Sequence, residues 1–221
     1  MKLLFSALAK LIVGLAVIAT LLFSPAGTFA YPGAWRLIAL LFIPMLIIGI
    51  VFYIWAPSTL ERRMRAKEER TKQKGVVALS GLLFLACFIL AGLDFRFGWS
   101  ALPSWMLITS SFIFLLSYGM YAEVMRENEW LSRSIEVAEG QKVISTGLYG
   151  MVRHPMYTAT IVMFLTMPII LGSWWAFLVM LPYVPVIMSR IKDEENLLLE
   201  ELEGYQEYTE KVRWRLIPYI W

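Results

Sequence analysis

Charge is scarce in this chain: Asp, Glu, Lys and Arg make up 17% of its 221 residues and apolar types 59%, against about a quarter charged in a soluble domain. Water is therefore not the main solvent. Cysteine and histidine are nearly missing. The one cysteine, Cys87, sits in the apolar run 82–90, which excludes an intrachain disulfide and any multi-cysteine zinc site. The one histidine, His154, excludes a histidine-rich metal centre. Carboxylates alone can hold a hard cation, but no metal is expected. A net charge of +3 is small, and the basic residues gather in one stretch, so nucleic acid is not an expected partner. No glycine-rich strand-to-helix turn, Walker loop, Ser-His-Asp signature or zinc-protease helix is present. Repeats and low-complexity tracts are also lacking.

What the chain does have is apolar length. A spanning helix needs about 20 apolar residues, and such stretches fall at roughly 3–23, 35–56, 76–93 and 103–122. They hold almost no polar residues, which argues against a permeation path through them. A fifth apolar region, 156–189, is too long for one crossing and carries Pro168, Gly172 and Ser173 at its middle, so it reads as a helical hairpin of two spans. Pro182 and Pro185 fall in its second arm and are expected to kink it. The fold class expected is all-α, a polytopic membrane protein of about six transmembrane helices with a C-terminal hairpin.

Lys2 and Lys10 before an apolar stretch ending near Thr28-Phe29-Ala30 also fit a cleaved signal peptide. The length of that stretch favours a retained span. Between spans two and three lie Arg62, Arg63, Arg65, Lys67, Arg70, Lys72 and Lys74 in a basic loop, 57–75, which the positive-inside rule puts in the cytosol, facing anionic lipid. Alternation then places both termini, 123–153 and 190–215 on the cytosolic side. The host membrane would be the plasma or inner membrane of a prokaryote, or the endoplasmic reticulum of a eukaryote. Two parts are expected: N-terminal membrane helices over 1–135, and a catalytic region over 136–221 formed by the hairpin and a cytosolic C-terminal helix.

The polar and aromatic residues concentrate in 140–218. Pro155 can open the fifth helix at its first turn, with Arg153 and His154 at its N-terminus, where unpaired N–H groups suit a carboxylate. Arg190, Glu194 and Glu195 leave the membrane at the other foot of the hairpin. A hairpin brings its two feet together, so Arg153, His154, Tyr157, Arg190, Glu194 and Glu195 should converge. Singly, each has a plainer reading. His154 beside Arg153 can be an interfacial anchor, Arg190 with Glu194 a surface ion pair, and Tyr149 and Tyr157 belt aromatics.

In combination, Gly147-Leu148-Tyr149, Arg153-His154-Pro155-Met156-Tyr157, Arg190 with Glu194-Glu195, Tyr205, Tyr208, Val212 and Leu216-Ile217-Pro218 resemble the isoprenylcysteine carboxyl methyltransferase family. That family belongs to a wider group with phospholipid N-methyltransferases and bacterial membrane methyltransferases. The resemblance covers about 140–218 and implies a cytosolic pocket for S-adenosylmethionine. It implies cofactor contacts from Gln141, Lys142, Val143, Ile144, Tyr149, His154, Pro155, Met156, Tyr157 and the pair Glu194 and Glu195, with Arg190 facing the acceptor. Gln141 stands where a histidine is common, and Leu202-Glu203-Gly204-Tyr205 is one residue short of the usual pattern. This leaves open which of the two glutamates meets the cofactor.

The catalytic residues implied are Arg190 and Arg153, to hold an anionic acceptor, and Glu195, as base for an amine. The acceptor expected is lipid-like or prenylated and enters from the bilayer. A prenylcysteine carboxylate is the leading choice, with a phospholipid amine or a small thiol as alternatives. The competing reading outside enzymes is a membrane scaffold or binding protein on the same hairpin.

Overall fold

The computed structural model describes residues 2–57, 60–61, 71–131, 135 and 137–221. Of the expected basic loop, Arg62, Arg63, Arg65, Lys67 and Arg70 lie outside the described residues. Regular structure among the described residues is all helical. Among the described residues, the N-terminal helices are α1 (Lys2–Ala26), α2 (Pro32–Trp55), α3 (Thr71–Phe97) and α4 (Ser104–Glu127). Each agrees with the apolar stretch expected of it to within about five residues at either end. A 3₁₀ turn, Gly147–Gly150, precedes α5 (Pro155–Leu171), α6 (Trp174–Met180), α7 (Tyr183–Glu201) and α8 (Tyr205–Lys211).

Among the described residues, five segments are long and apolar enough to cross a bilayer, with α6 and α7 counted together as Trp174–Glu201. The sixth expected crossing, α5, is a 17-residue helix, about 25 Å long at 1.5 Å per residue, which is at the short end of spanning lengths. Large apolar side chains face outward along these helices, among them Ile12 at 62% and Ile108 at 69% exposure. That outward face is costly in water and favourable in lipid. The protein is an all-α polytopic membrane protein.

The prolines divide the hairpin differently from the sequence expectation. Pro168 lies inside α5 without ending it. The helix stops at Gly172, whose φ of +85° is left-handed, as glycine permits. The second arm does break, at Leu181-Pro182, between α6 and α7. Pro185 falls within the first turn of α7, where its missing N–H would have had no intrahelical partner.

Packing gives the bundle two distinct ends. At one end meet the C-terminus of α1, the N-terminus of α2, the C-termini of α3 and α5 and the start of α6. The Tyr31 hydroxyl donates to the Leu171 carbonyl at 2.7 Å, and a Cβ on Gly33 or Gly92 would collide with the Leu171 or Leu22 carbonyl. Buried Asp94 binds the start of α6 by accepting from the Ser173 hydroxyl, and also accepts from the Ser100 N–H (2.7 Å) and hydroxyl (2.6 Å). At the other end meet the start of α3, the end of α4, the start of α5, the charged half of α7, α8 and the C-terminal segment. The C-terminal segment lies on this second side, and α1 runs from Lys2 to Ala26 at the far end.

Candidate active site

The start of α5 is anchored by the C-terminal segment. The backbone N–H groups of Arg153 and His154 donate to the Trp214 and Arg215 carbonyls, each at 2.9 Å, and the Thr158 hydroxyl donates to the Leu216 carbonyl at 2.8 Å. The segment folds on itself, since the Trp221 carbonyl accepts from the N–H groups of Arg215 and Leu216, both at 2.9 Å. Two of the backbone donors expected to be open at this helix start are therefore already used.

Glu195 fastens the same region from α7. Its Oε1 accepts from Arg153 Nε at 2.6 Å and faces His154 Nε2 at 3.2 Å, while Oε2 accepts from Arg215 Nε at 2.6 Å. Arg153 also donates through Nη1 to the Val212 and Arg213 carbonyls, both at 2.8 Å. Glu195, Arg153 and His154 are all buried. A buried carboxylate with two guanidinium partners has its charge and lone pairs satisfied within the protein. One helical step away, Glu194 points elsewhere: its Oε2 accepts from the Tyr157 hydroxyl at 2.6 Å. Tyr157 in turn accepts from Arg190 Nε at 2.9 Å. The two feet of the hairpin thus meet.

Beside them opens a pocket with a cavity volume of about 100 Å³ that widens into open solvent at its mouth. Of the residues picked out in the sequence, Gln141, Lys142, Val143, Ile144, Tyr149, Arg153, His154, Met156, Tyr157, Arg190 and Glu194 line it. Pro155 and Glu195 do not; Pro155 is fully buried at the first position of α5. Tyr205 and Tyr208 close one side, together with Leu198 and Leu202. Asn128, Trp130, Leu131 and Ile135 also line the pocket, and the sequence reading, which began at 140, missed them.

The 3₁₀ turn that presents Tyr149 is held from α4. The Glu127 carboxylate accepts from the Leu148 N–H at 3.0 Å and lies against Gly147, where a Cβ would push it aside. Gly147 has a φ of +49°, a left-handed conformation that favours glycine. Asn128 Nδ2 donates to the Tyr149 hydroxyl at 3.0 Å, and the Tyr208 hydroxyl donates to the Tyr149 carbonyl at 2.7 Å. The signal for these two α4 residues was a carboxylate and an amide directly after an apolar span.

Among the described residues, one buried side-chain polar atom lacks a hydrogen-bond partner: the Tyr205 hydroxyl, in the wall of this pocket. Such an orphan is rare in native proteins and matches a wall shaped for a polar ligand. Burial, and after it the negative charges of Glu195 and Glu194, hold the Tyr205 hydroxyl well above the ordinary tyrosine value, so it presents a neutral O–H donor. Burial does the same to Tyr208, with Tyr149 the next contributor. Aromatic faces, a carboxylate and an orphan hydroxyl suit a ligand that is cationic and rich in hydroxyl and amino groups.

Residues 104–205 match the family model described as Phospholipid methyltransferase. The match makes this region, a little under half of the chain, similar to phospholipid methyltransferases. It spans the pocket wall from Asn128 to Tyr205 and leaves out Gln73, Tyr208 and the C-terminal segment. The chain is also similar to Delta(14)-sterol reductase TM7SF2 of Mus musculus, 31% identical over 91 residues. That likeness takes in 40% of this chain and 22% of the reductase, so the chain spans about a fifth of the length of this curated relative.

Proposed function

We propose that the chain is an integral membrane methyltransferase that uses S-adenosylmethionine on a lipid-like, membrane-associated acceptor. The observation that carries this reading is the Tyr157–Glu194 contact of 2.6 Å. It joins both feet of the hairpin at a pocket whose wall holds the unpartnered Tyr205 hydroxyl. When bound, the cofactor supplies an electrophilic methyl group carried on a sulfonium. Glu194 and the Tyr205 hydroxyl would hold its ammonium and hydroxyl groups. Tyr149 and Tyr157 would face the cation, and residues 141–144 would cover the adenosine end.

The chemistry of the acceptor follows from the two glutamates. A neutral amine acceptor needs a base to take its proton. Glu195, expected in that part, is tied to Arg153 and Arg215, and a carboxylate so held is a poor proton acceptor. An acceptor already ionised, a carboxylate or a thiolate, needs no base, and Arg190 offers it a guanidinium. The geometry therefore favours an anionic acceptor, of the prenylcysteine-carboxylate type, over the phospholipid amine that the family description brings to mind. Arg153, with Nε held by Glu195 and Nη1 by two carbonyls, takes a positioning part. Lys142 and Lys192 with the basic stretch after span two support a cytosolic setting for the pocket end, and for both termini, under the positive-inside rule.

A second reading rests on the likeness to the sterol reductase, which would have the same pocket take a reductant. Isothermal titration of the full chain in detergent with S-adenosylmethionine and, separately, with NADPH distinguishes the two. Heat with the first and none with the second is expected. Glu194→Ala should weaken that binding by at least about tenfold, as loss of a charge-assisted hydrogen bond does. Heat only with NADPH favours the reductase reading, and no heat with either leaves a scaffold.

A further inference from the structure

We propose that Gln73, in the first turn of α3, is a positioning residue for acceptor binding: it fixes the guanidinium of Arg190, so that α3 completes the acceptor side of the pocket from outside the matched segment 104–205. The inference rests on the methyltransferase reading above.

Gln73 is 1% exposed. Its Oε1 accepts from Arg190 Nη1 at 3.0 Å, and its Nε2 donates to Asp193 Oδ2 at 2.7 Å. A buried amide at the start of an apolar membrane helix is costly unless both of its ends are bonded, and here both are. The arrangement at Arg190 gives the contact its meaning. A guanidinium carries five N–H groups in one rigid plane. Nε of Arg190 is held by the Tyr157 hydroxyl at 2.9 Å and Nη1 by Gln73. These two partners, from two different helices and on two edges of the fork, help to set the plane of the group. The bonds run in series from Asp193 through Gln73, Arg190 and Tyr157 to Glu194, with Gln73 at the end away from the cofactor side.

A mere tie between α3 and α7 would affect stability alone. An orienting contact would affect acceptor affinity with the cofactor site intact. The test uses the full chain in nanodiscs with isotopically labelled S-adenosylmethionine and three probes: a farnesylated cysteine with a free carboxylate, phosphatidylethanolamine vesicles and an alkyl thiol. On whichever probe the wild type methylates, Gln73→Met, which keeps the volume and removes both bonds, should raise acceptor KM about tenfold and leave S-adenosylmethionine affinity within about twofold. Gln73→Glu combined with Asp193→Asn exchanges donor and acceptor between those two residues and keeps an oxygen facing Arg190. It should return KM to within about threefold of wild type. An unchanged KM in Gln73→Met overturns the proposal, as does a fall in melting temperature and cofactor affinity with no change in KM. Transfer by the wild type to none of the probes overturns the methyltransferase reading itself, and the part assigned to Gln73 with it.

Discussion

The two ends of the bundle are both fastened by one buried carboxylate, and the partners differ in kind. At the far end Asp94 accepts from the hydroxyls of Ser100 and Ser173 and the Ser100 N–H. These are neutral donors, and the Ser173 hydroxyl also accepts from the Ala176 N–H at 3.0 Å to cap α6. At the pocket end Glu195 binds the guanidinium groups of Arg153 and Arg215 beside the His154 ring. Both ends keep a hollow, and the linings differ. At the far end the Tyr31 hydroxyl is bonded, the helices approach through Gly33 and Gly92, and the hollow beside them has Asp94 and Arg36 in its wall. The pocket end gathers Arg153, Arg190 and Glu194, and its wall holds the Tyr205 hydroxyl, which has no partner among the described residues. A ligand site needs charged groups held still next to others left accessible. Adjacent glutamates divide that work here, Glu195 as the fastener and Glu194 in the wall.

Removing the fastener should show the largest effect. Glu195→Ala strands Arg153 as an uncompensated buried charge, which costs about 3–5 kcal/mol. Thermal unfolding in detergent should register that loss, whereas Glu194→Ala should cost under about 1 kcal/mol and act on binding instead. Equal destabilisation by the two substitutions would erase the distinction between them.

Asp94→Ala comes next. It strands two serine hydroxyls and an N–H but no charge, so about 1–3 kcal/mol is expected. Because the loss falls at the far end, the affinity for S-adenosylmethionine should stay within about twofold of wild type wherever the protein is folded. A larger change in affinity would show the two ends to be coupled through α5, which runs between them.

The apolar spans, the hairpin and the meeting of its feet were legible because each follows from length: about 20 apolar residues per crossing and a glycine turn between two arms. The choice between Glu194 and Glu195 was not. Consecutive positions on a helix point about 100° apart, and nothing in the sequence gives the rotation of α7 about its axis. The same limit hid Gln73, whose partner Arg190 is 117 positions away. Arg215 was hidden because the path of the C-terminal segment is set by backbone bonds to Arg153 and His154. Pro182 and Pro185 looked alike as kinks. Only the place where α7 starts makes one a break and the other a tolerated first-turn residue.

Two tyrosines give the smallest and most diagnostic contrast. The Tyr31 hydroxyl donates to the Leu171 carbonyl at 2.7 Å, so Tyr31→Phe should cost about 1 kcal/mol of stability and leave ligand binding unchanged. The Tyr205 hydroxyl is as deeply buried but has no partner among the described residues. A group desolvated without compensation destabilises the protein that carries it, so Tyr205→Phe should leave the unliganded protein unchanged or raise its stability by up to about 1 kcal/mol. With S-adenosylmethionine present the sign should reverse. The ligand is then the missing partner, and the variant should gain less stabilisation from it, by the factor with which its affinity has fallen, about five- to tenfold. Melting curves for both variants, with and without the ligand, measure all four quantities. If Tyr205→Phe loses stability without ligand as Tyr31→Phe does, its hydroxyl is satisfied within the protein, and the pocket wall loses the feature that marks it as built for a ligand.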